Sequence, residues 1–142
     1  VELKNSSGFD LSGQGKTLIM DDEVTVRETL SKMLQRLGYT ISSAADGQKA
    51  INLYQKAISS NEPYDAVMMD LTIAGGMGGK EAVKRLLEID PEAKVIVSSG
   101  YSNDPVMADF KHYGFCGVLP KPYEIQTVNQ ILHALIKRQE AG

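Results

Sequence analysis

Short apolar runs alternate along the chain with stretches whose apolar residues recur at helical spacing. Spacings of three and four residues predict five helices, of which the first ends at Gly38 and the third stops before Pro91. The fourth helix, marked by Val106, Met107 and Phe110, has the weakest periodicity. The apolar runs predict five strands, at residues 16–20, 40–44, 65–69, 94–98 and 116–119.

Strand and helix therefore alternate five times, which predicts an α/β domain. Most of the predicted strands are apolar at successive positions, and this pattern indicates burial on both faces of the sheet. We predict a five-stranded parallel sheet, doubly wound by helices. In such sheets the ligand site lies beyond the carboxyl ends of the strands, so the residues at those ends are the first candidates for function.

Composition limits the classes of function. Residues 1–15 are polar and lack an apolar period, so they are expected to be a linker or an artificially added segment, with the domain over 16–142. The net charge is −3 with both signs interspersed, which argues against nucleic-acid binding. A single cysteine, Cys116, and the lack of an apolar run near ~20 residues favour a cytoplasmic location without a membrane span. Because the chain begins with Val1, we expect it to be cut from a larger protein, which itself could be tethered to a membrane.

Charged and hydroxyl side chains follow four of the predicted strands. Each has an ordinary explanation: acidic residues suit the start of a helix, aspartate starts turns, serine caps helices and most lysines are surface residues. These explanations do not account for the coincidence of all these groups at one edge of a sheet. The groups are Asp21, Asp22 and Glu23 after the first strand, Asp70 after the third, Ser98 and Ser99 at the end of the fourth, and Lys121 after the fifth.

Crowded carboxylates repel one another unless a cation joins them. A site made of oxygen ligands suits Mg²⁺, which keeps several waters and often shares its shell with a phosphate. A carboxylate can attack phosphorus to form an aspartyl phosphate, and a metal together with a lysine would offset the charge on the transferred group. A serine hydroxyl can donate to a phosphoryl oxygen.

The glycine-rich stretch after the third strand, "MMDLTIAGGMGGKEAV", raises a second interpretation, a phosphate-binding loop. That loop requires G-x-x-x-x-G-K-[ST]. When the pattern is aligned on Gly79 and Lys80, Ala74 replaces its first glycine and Glu81 replaces its hydroxyl residue. We therefore attribute the glycines to backbone freedom in a mobile loop and predict that Asp70 is the reactive group.

Four motifs together resemble the receiver domain of two-component signalling. They are "LIMDDE", "MMDLTIAGGMGG", "VIVSSGYS" and "LPKPY", in this order, and the resemblance runs from about Lys16 to Ile136. It implies the flavodoxin-like (βα)5 receiver fold and a phosphorelay function, in which a phosphoryl group passes from phosphohistidine to an aspartate. It also implies a domain that is not a conventional enzyme and catalyses only its own phosphorylation and dephosphorylation.

By this resemblance, Asp70 is the phosphoacceptor and also a metal ligand. Asp22 would bind the metal directly, the backbone carbonyl of Thr72 would be the remaining protein ligand, and Asp21 would contribute indirectly. The metal would be Mg²⁺, with Mn²⁺ as a substitute. Lys121 would pair with the phosphoryl group.

The switch residues by the same resemblance are Ser99, whose hydroxyl would respond to phosphorylation, and Gly100, which leaves access to the site. Two positions depart from the family. Val118 stands where an aromatic residue often lies, and we expect Tyr101 to take over part of its role. Ala74 stands where many relatives have proline, which should loosen the loop.

The resemblance implies a histidine kinase or a histidine phosphotransfer domain as partner, with no nucleic acid or membrane bound by this fragment and a weak homodimer as a further expectation. The wording of "DLTIAGGMGGKEAV" and "SSGYSNDPVM" is most similar to receivers attached to hybrid sensor histidine kinases. The parent protein is therefore expected to be a histidine kinase.

Three alternatives compete with the receiver. A haloacid-dehalogenase-type phosphatase also uses an aspartate nucleophile, but its acidic pair follows the nucleophile, and Thr72 replaces the general acid/base that turnover needs. A flavin-binding module would require a hydroxyl-rich loop after the first strand, where "MDDE" would repel a phosphate. An interaction module that no longer binds metal would not need the three acidic residues.

Overall fold

The computed structural model describes residues 15–100 and 104–141. Its centre is a five-stranded parallel sheet in the order β2-β1-β3-β4-β5. The strands are β1 (Lys16–Met20), β2 (Thr40–Ala44), β3 (Ala66–Asp70), β4 (Val95–Ser99) and β5 (Gly117–Pro120). The predicted parallel sheet is thus confirmed.

Five helices connect and cover the strands. They are α1 (Val24–Arg36), α2 (Gly47–Ser59), α3 (Gly79–Ile89), α4 (Pro105–Ala108) and α5 (Ile125–Ala141), and a 3₁₀ turn (Phe110–Tyr113) follows α4. Along each central strand, successive apolar side chains enter different clusters. In β1, Leu18 and Met20 pack with α2 and α3, whereas Ile19 packs with α1 and α5. The sheet is therefore covered on both faces, as doubly wound folds require.

The last three strands begin and end one residue later than the sequence pattern predicts. Asp70 is the final residue of β3, and Ser98 and Ser99 are the final residues of β4. Pairing with the neighbouring strand extends each strand to its polar end, since Asp70 lies opposite Ser98 and Ser99 lies opposite Pro120. Asp70, Ser98 and Ser99 are thus held by strand backbone, whereas Asp21, Asp22 and Lys121 directly follow β1 and β5.

The fourth helix is a single turn, in agreement with its weak periodicity. Pro105 occupies its first turn, and the Asp104 carboxylate accepts a hydrogen bond of 2.9 Å from the Val106 backbone N–H. Buried Val106 and Met107 attach this turn to the core. No helix within residues 15–100 and 104–141 is long and apolar enough to cross a bilayer.

The strand order brings the candidate residues together. The chain leaves β1 towards β2 on one side of the sheet and returns to β3 on the other, so connections diverge at the β1–β3 boundary. Crevices at such boundaries are where ligands bind in open α/β sheets. The carboxyl ends of β1, β3, β4 and β5 share this edge.

Candidate functional site

Three aspartates form a cluster at the carboxyl edge of the sheet. Asp21 and Asp22 directly follow β1, and Asp70 ends the adjacent strand β3. One carboxylate oxygen from each lies within 4.8 Å of the others. Asp21 is only 1% exposed and Asp70 8%, whereas Asp22 is open to solvent. The cluster therefore combines two buried negative groups with one accessible negative group.

Lys121 reaches this cluster from the end of β5. Its Nζ lies 2.9 Å from Asp21 Oδ2 and 3.4 Å from Asp70 Oδ1. Burial alone would lower the pKa of Lys121, but the hydrogen bond to Asp21 and the charge of Asp70 outweigh burial and raise it. Lys121 therefore stays an ammonium that bridges two carboxylates.

Asp70 has an unusually high proton affinity for an aspartate. Burial and then the neighbouring charge of Asp21 raise its pKa to about 6, although Lys121 acts in the opposite direction. One ammonium thus does not balance the acidic groups around Asp70. A divalent cation would favour the ionised form of Asp70 by the same electrostatics.

The cluster opens into a cavity of about 590 Å³. Asp22, Asp70, Ser99 and Lys121, all predicted from the sequence, line it together with Thr72. Asp21 lies beneath, where its Oδ1 accepts a hydrogen bond of 2.9 Å from the backbone N–H of Glu23. The remaining lining residues are Glu23, Ala74 and Gly100. Tyr101 lies outside the described residues, and Val118 packs against the core with Val97 as its strand neighbour.

The donor set fits a hard divalent cation. Carboxylate oxygens converge from two strand ends within 4.8 Å, which suits all-oxygen coordination by a small ion. Thr72 lines the same cavity and belongs to the loop that follows Asp70. The cavity also leaves room for water, which Mg²⁺ retains in protein sites.

The glycines of the loop after β3 do two different things. Gly75 has a φ of +71°, which requires the backbone freedom that the sequence suggested. Gly78 and Gly79 instead allow close packing, because a Cβ there would lie 2.5 Å from Leu71 O and 2.8 Å from Asp70 O. These two glycines let the start of α3 pack directly against the end of β3, so mobility is not their main explanation.

Sequence reasoning missed three contacts that support the site. Arg27 Nη1 donates to the Asp21 carbonyl at 2.7 Å, and the Ala74 N–H donates to Asp22 Oδ2 at 3.3 Å. The Tyr123 hydroxyl lies 2.7 Å from Ser98 Oγ. The tyrosine was visible in "LPKPY", but no spacing rule connects it with a serine 25 positions earlier.

Residues 17–133 match the family model of the response regulator receiver domain. The chain belongs to this family. It is a receiver domain of two-component signalling, as the sequence motifs predicted, and the comparisons do not support the haloacid-dehalogenase alternative.

Two relatives differ in how much of their own length this chain covers. Sporulation initiation phosphotransferase F of Bacillus subtilis is 31% identical over 113 residues, which are 80% of this chain and 86% of that protein. Sensor kinase CckA of Brucella abortus is 28% identical over 139 residues, 98% of this chain. The chain spans only 14% of that kinase.

Solved structures agree with the fold. Chemotaxis protein CheY4 of Vibrio cholerae is 26% identical with a TM-score of 0.76, and the match covers 87% of this chain and 99% of that one. CheY in a CheX-CheY-BeF3-Mg²⁺ complex from Borrelia burgdorferi is also 26% identical, with a TM-score of 0.76 and coverage of 84% and 87%. Receiver domains bind Mg²⁺ at an acidic pocket, and an acidic cluster is present here.

Proposed function

We propose that Asp70 is the phosphoacceptor of this receiver, and that it takes a phosphoryl group from a phosphohistidine of a histidine kinase or a histidine phosphotransfer domain. The observation that carries this proposal is the position of Asp70. Its carboxylate lies at the end of a central strand, in an open cavity, beside two further carboxylates and 3.4 Å from the Lys121 ammonium.

Transfer begins when an Asp70 oxygen attacks phosphorus. The new O–P bond forms as the P–N bond of the phosphohistidine breaks, and the electron pair of the P–N bond stays on the imidazole nitrogen of the donor. Asp22, Asp70 and the backbone carbonyl of Thr72 would hold Mg²⁺, with Asp21 supporting it indirectly, and Mn²⁺ would substitute. The bound ion would supply positive charge against the phosphoryl oxygens.

Two side chains are placed to hold the phosphoryl group. Lys121 can donate its ammonium hydrogens to one phosphoryl oxygen, while Ser99, which is 5% exposed and lines the cavity, can donate its hydroxyl to another. A Ser99 displacement would shift the populations of two surface states that involve the fourth and fifth β-α units. Val118 stands where relatives often have an aromatic residue, so an aromatic ring at this position cannot take part in the shift.

The chemistry favours a persistent phosphate over rapid turnover. Thr72, two residues after Asp70, has no group that would act as a general acid/base near neutral pH. The acyl phosphate should therefore outlast the transfer step, as a signal requires.

We infer that the domain spans residues 16–142 and that residues 1–15 are a linker or an added segment. The similarity to sensor kinase CckA over 98% of the chain supports a hybrid histidine kinase as parent. The proposed partners are a histidine kinase or phosphotransfer domain and a second copy in a weak homodimer, at a cytoplasmic location. We expect this fragment to bind neither nucleic acid nor a membrane.

The experiment is phosphorylation by a small phosphodonor with Mg²⁺, followed by intact-protein mass spectrometry. The wild-type protein should gain one phosphoryl group, and Asp70→Asn should gain none. Asp65→Asn is the matched control, since Asp65 lies at the opposite edge of the sheet and accepts a hydrogen bond from the Lys16 N–H. Label on Asp70→Asn would refute the assignment.

Ser99→Ala separates acceptance of phosphate from the response. This variant should still be labelled, because the attacking carboxylate is intact, but its backbone amide spectrum should change less than the wild-type spectrum does. A wild-type response in Ser99→Ala would remove Ser99 from the switch.

A further inference from the structure

The loop that carries Lys121 is anchored to β4 at two points. Before the lysine, β5 pairs with β4 up to Pro120, and the Lys121 N–H itself donates to the Ser99 carbonyl at 3.1 Å. After the lysine, Pro122 has no N–H to donate. The next attachment is the side chain of Tyr123, whose hydroxyl lies 2.7 Å from Ser98 Oγ.

Ser98 is a rigid anchor. It is 1% exposed, its backbone belongs to β4, and its partner across the strand pair is Asp70. Either hydroxyl of the pair can be the donor, so the bond joins a fixed strand position to the start of the loop that leads into α5. The rest of the Tyr123 ring packs on the apolar cluster between the sheet and helices α1 and α5.

The two serines at the end of β4 face different surroundings. Successive side chains of a strand point to opposite faces. Ser99 lines the cavity with Asp70 and Lys121, whereas Ser98 bonds Tyr123, which packs on the other side. Ser98 is thus not available to the phosphoryl group in this structure. Its position instead suits the support of Lys121, which does reach the cavity.

We propose that Tyr123 is a positioning residue that holds the Lys121 ammonium between Asp21 and Asp70 by bonding Ser98. This inference rests on the proposed function, and it assigns a task to a side chain that does not touch the reacting atoms. The lysine stem has four rotatable bonds, so its ammonium remains in place only if its backbone is fixed. Tyr123 fixes that backbone on the side where strand pairing has ended.

The test compares Tyr123→Phe, Ser98→Ala and the double variant, using the initial rate of phosphorylation by a small phosphodonor with saturating Mg²⁺. Each single variant should be slower by about 2- to 10-fold, the range expected for one lost hydrogen bond. Because both changes remove the same bond, the double variant should be little slower than either single one.

The same substitutions in a Lys121→Ala background show whether the effect passes through the lysine. In that background Tyr123→Phe should not slow phosphorylation further. Tyr54→Phe is the matched control, since Tyr54 is another buried tyrosine whose hydroxyl bonds Asp90 at 2.7 Å, away from the cavity. It should cost stability without changing the phosphorylation rate.

Calorimetric titration with Mg²⁺ alone gives a second readout. The Lys121 ammonium repels a divalent cation at the carboxylates, so Lys121→Ala should tighten Mg²⁺ binding. Tyr123→Phe should tighten it by a smaller factor, about 2- to 3-fold, and only when Lys121 is present.

Two results would overturn the positioning role: wild-type rates and Mg²⁺ affinity in Tyr123→Phe, or an equal slowing by Tyr123→Phe with and without Lys121. Failure of the proposed function looks different. A wild-type protein that takes no phosphoryl group, but whose Mg²⁺ affinity still responds to Tyr123→Phe through Lys121, would refute the phosphoacceptor and retain the positioning residue.

Discussion

Polar groups are arranged in opposite ways at the two edges of the sheet. At the carboxyl edge, Asp21, Asp22 and Asp70 crowd together, and Lys121 is shared between two of them. At the amino edge the polar groups form separate pairs. Asp65 Oδ2 accepts a hydrogen bond of 2.8 Å from the backbone N–H of Lys16, and Asp90 Oδ2 accepts one of 2.7 Å from the Tyr54 hydroxyl.

The pKa shifts reflect this difference. Burial and the nearby Asp21 raise the pKa of Asp70 to about 6, which shows that the ionised form is poorly accommodated. At the amino edge, burial and the hydrogen bond to Asp90 raise the pKa of Tyr54, which keeps the phenol neutral as a donor. At the amino edge, protein donors meet the hydrogen-bonding needs of the carboxylates. At the carboxyl edge, an added cation would offset negative charge that Lys121 alone does not balance. Polar groups left in electrostatic conflict are a mark of a functional site.

The largest effect is expected from removing the shared lysine. Lys121→Met would leave two buried carboxylates, Asp21 and Asp70, without their ammonium partner. At pH 7.5 without divalent ions, the free energy of unfolding should therefore fall by about 3 kcal/mol. Mg²⁺ should restore much of this loss, because it supplies the missing charge. Urea denaturation with a chelator and then with Mg²⁺ measures both.

Lys16→Met is the control at the amino edge. Lys16 Nζ donates to the Glu62 carbonyl at 2.7 Å and lies 4.0 Å from the exposed Glu62 Oε1, and partly exposed contacts of this kind contribute about 0–1 kcal/mol. The contrast between the edges would be refuted by equal losses in the free energy of unfolding for the two lysine variants. It would also be refuted if Mg²⁺ did not restore the stability of Lys121→Met.

A gain in stability is expected from Asp70→Asn. In the folded protein the pKa of Asp70 is about 6, above the ordinary value of 3.8, so the stability that protonated Asp70 contributes is complete below pH 3.8 and is lost as pH rises through 6. At pH 7.5 without divalent ions, removing the charge should stabilise the fold by on the order of 1–3 kcal/mol. It should also flatten the decline in stability between pH 4 and pH 7.

Chemical denaturation across this pH range is the measurement. Asp65→Asn at the amino edge should show no gain, since its carboxylate has a dedicated donor in the Lys16 N–H. If Asp70→Asn is less stable than the wild type at pH 7.5, the electrostatic conflict at the carboxyl edge is absent.

The smallest effect concerns the amino edge alone. Tyr54→Phe keeps the buried ring and removes one hydrogen bond, so we expect a loss of about 0.5–1.5 kcal/mol in the free energy of unfolding. Mg²⁺ affinity should not change, because Tyr54 and Asp90 do not line the cavity. A changed Mg²⁺ affinity would show that the two edges are coupled.

The sequence by itself determined the fold class and most of the candidate site. Its apolar runs gave five strands within one residue of their observed bounds, and its motifs placed Asp22, Asp70, Ser99 and Lys121 at strand ends that meet. These predictions succeeded because strand and helix periods are local, and parallel strands bring their carboxyl ends to one edge.

Only the tertiary structure decided the contacts between distant segments. Lys121 bridges Asp70 and Asp21, which lie 51 and 100 positions earlier in the chain. The Tyr123 hydroxyl bonds Ser98, and at Gly78 and Gly79 the start of α3 approaches the backbone at the end of β3 too closely for a Cβ. Such contacts depend on which strands are neighbours and on which face each side chain leaves, and neither is encoded in a local period. The charge balance around Asp70 follows from those distances, and it cannot be read from residue types alone.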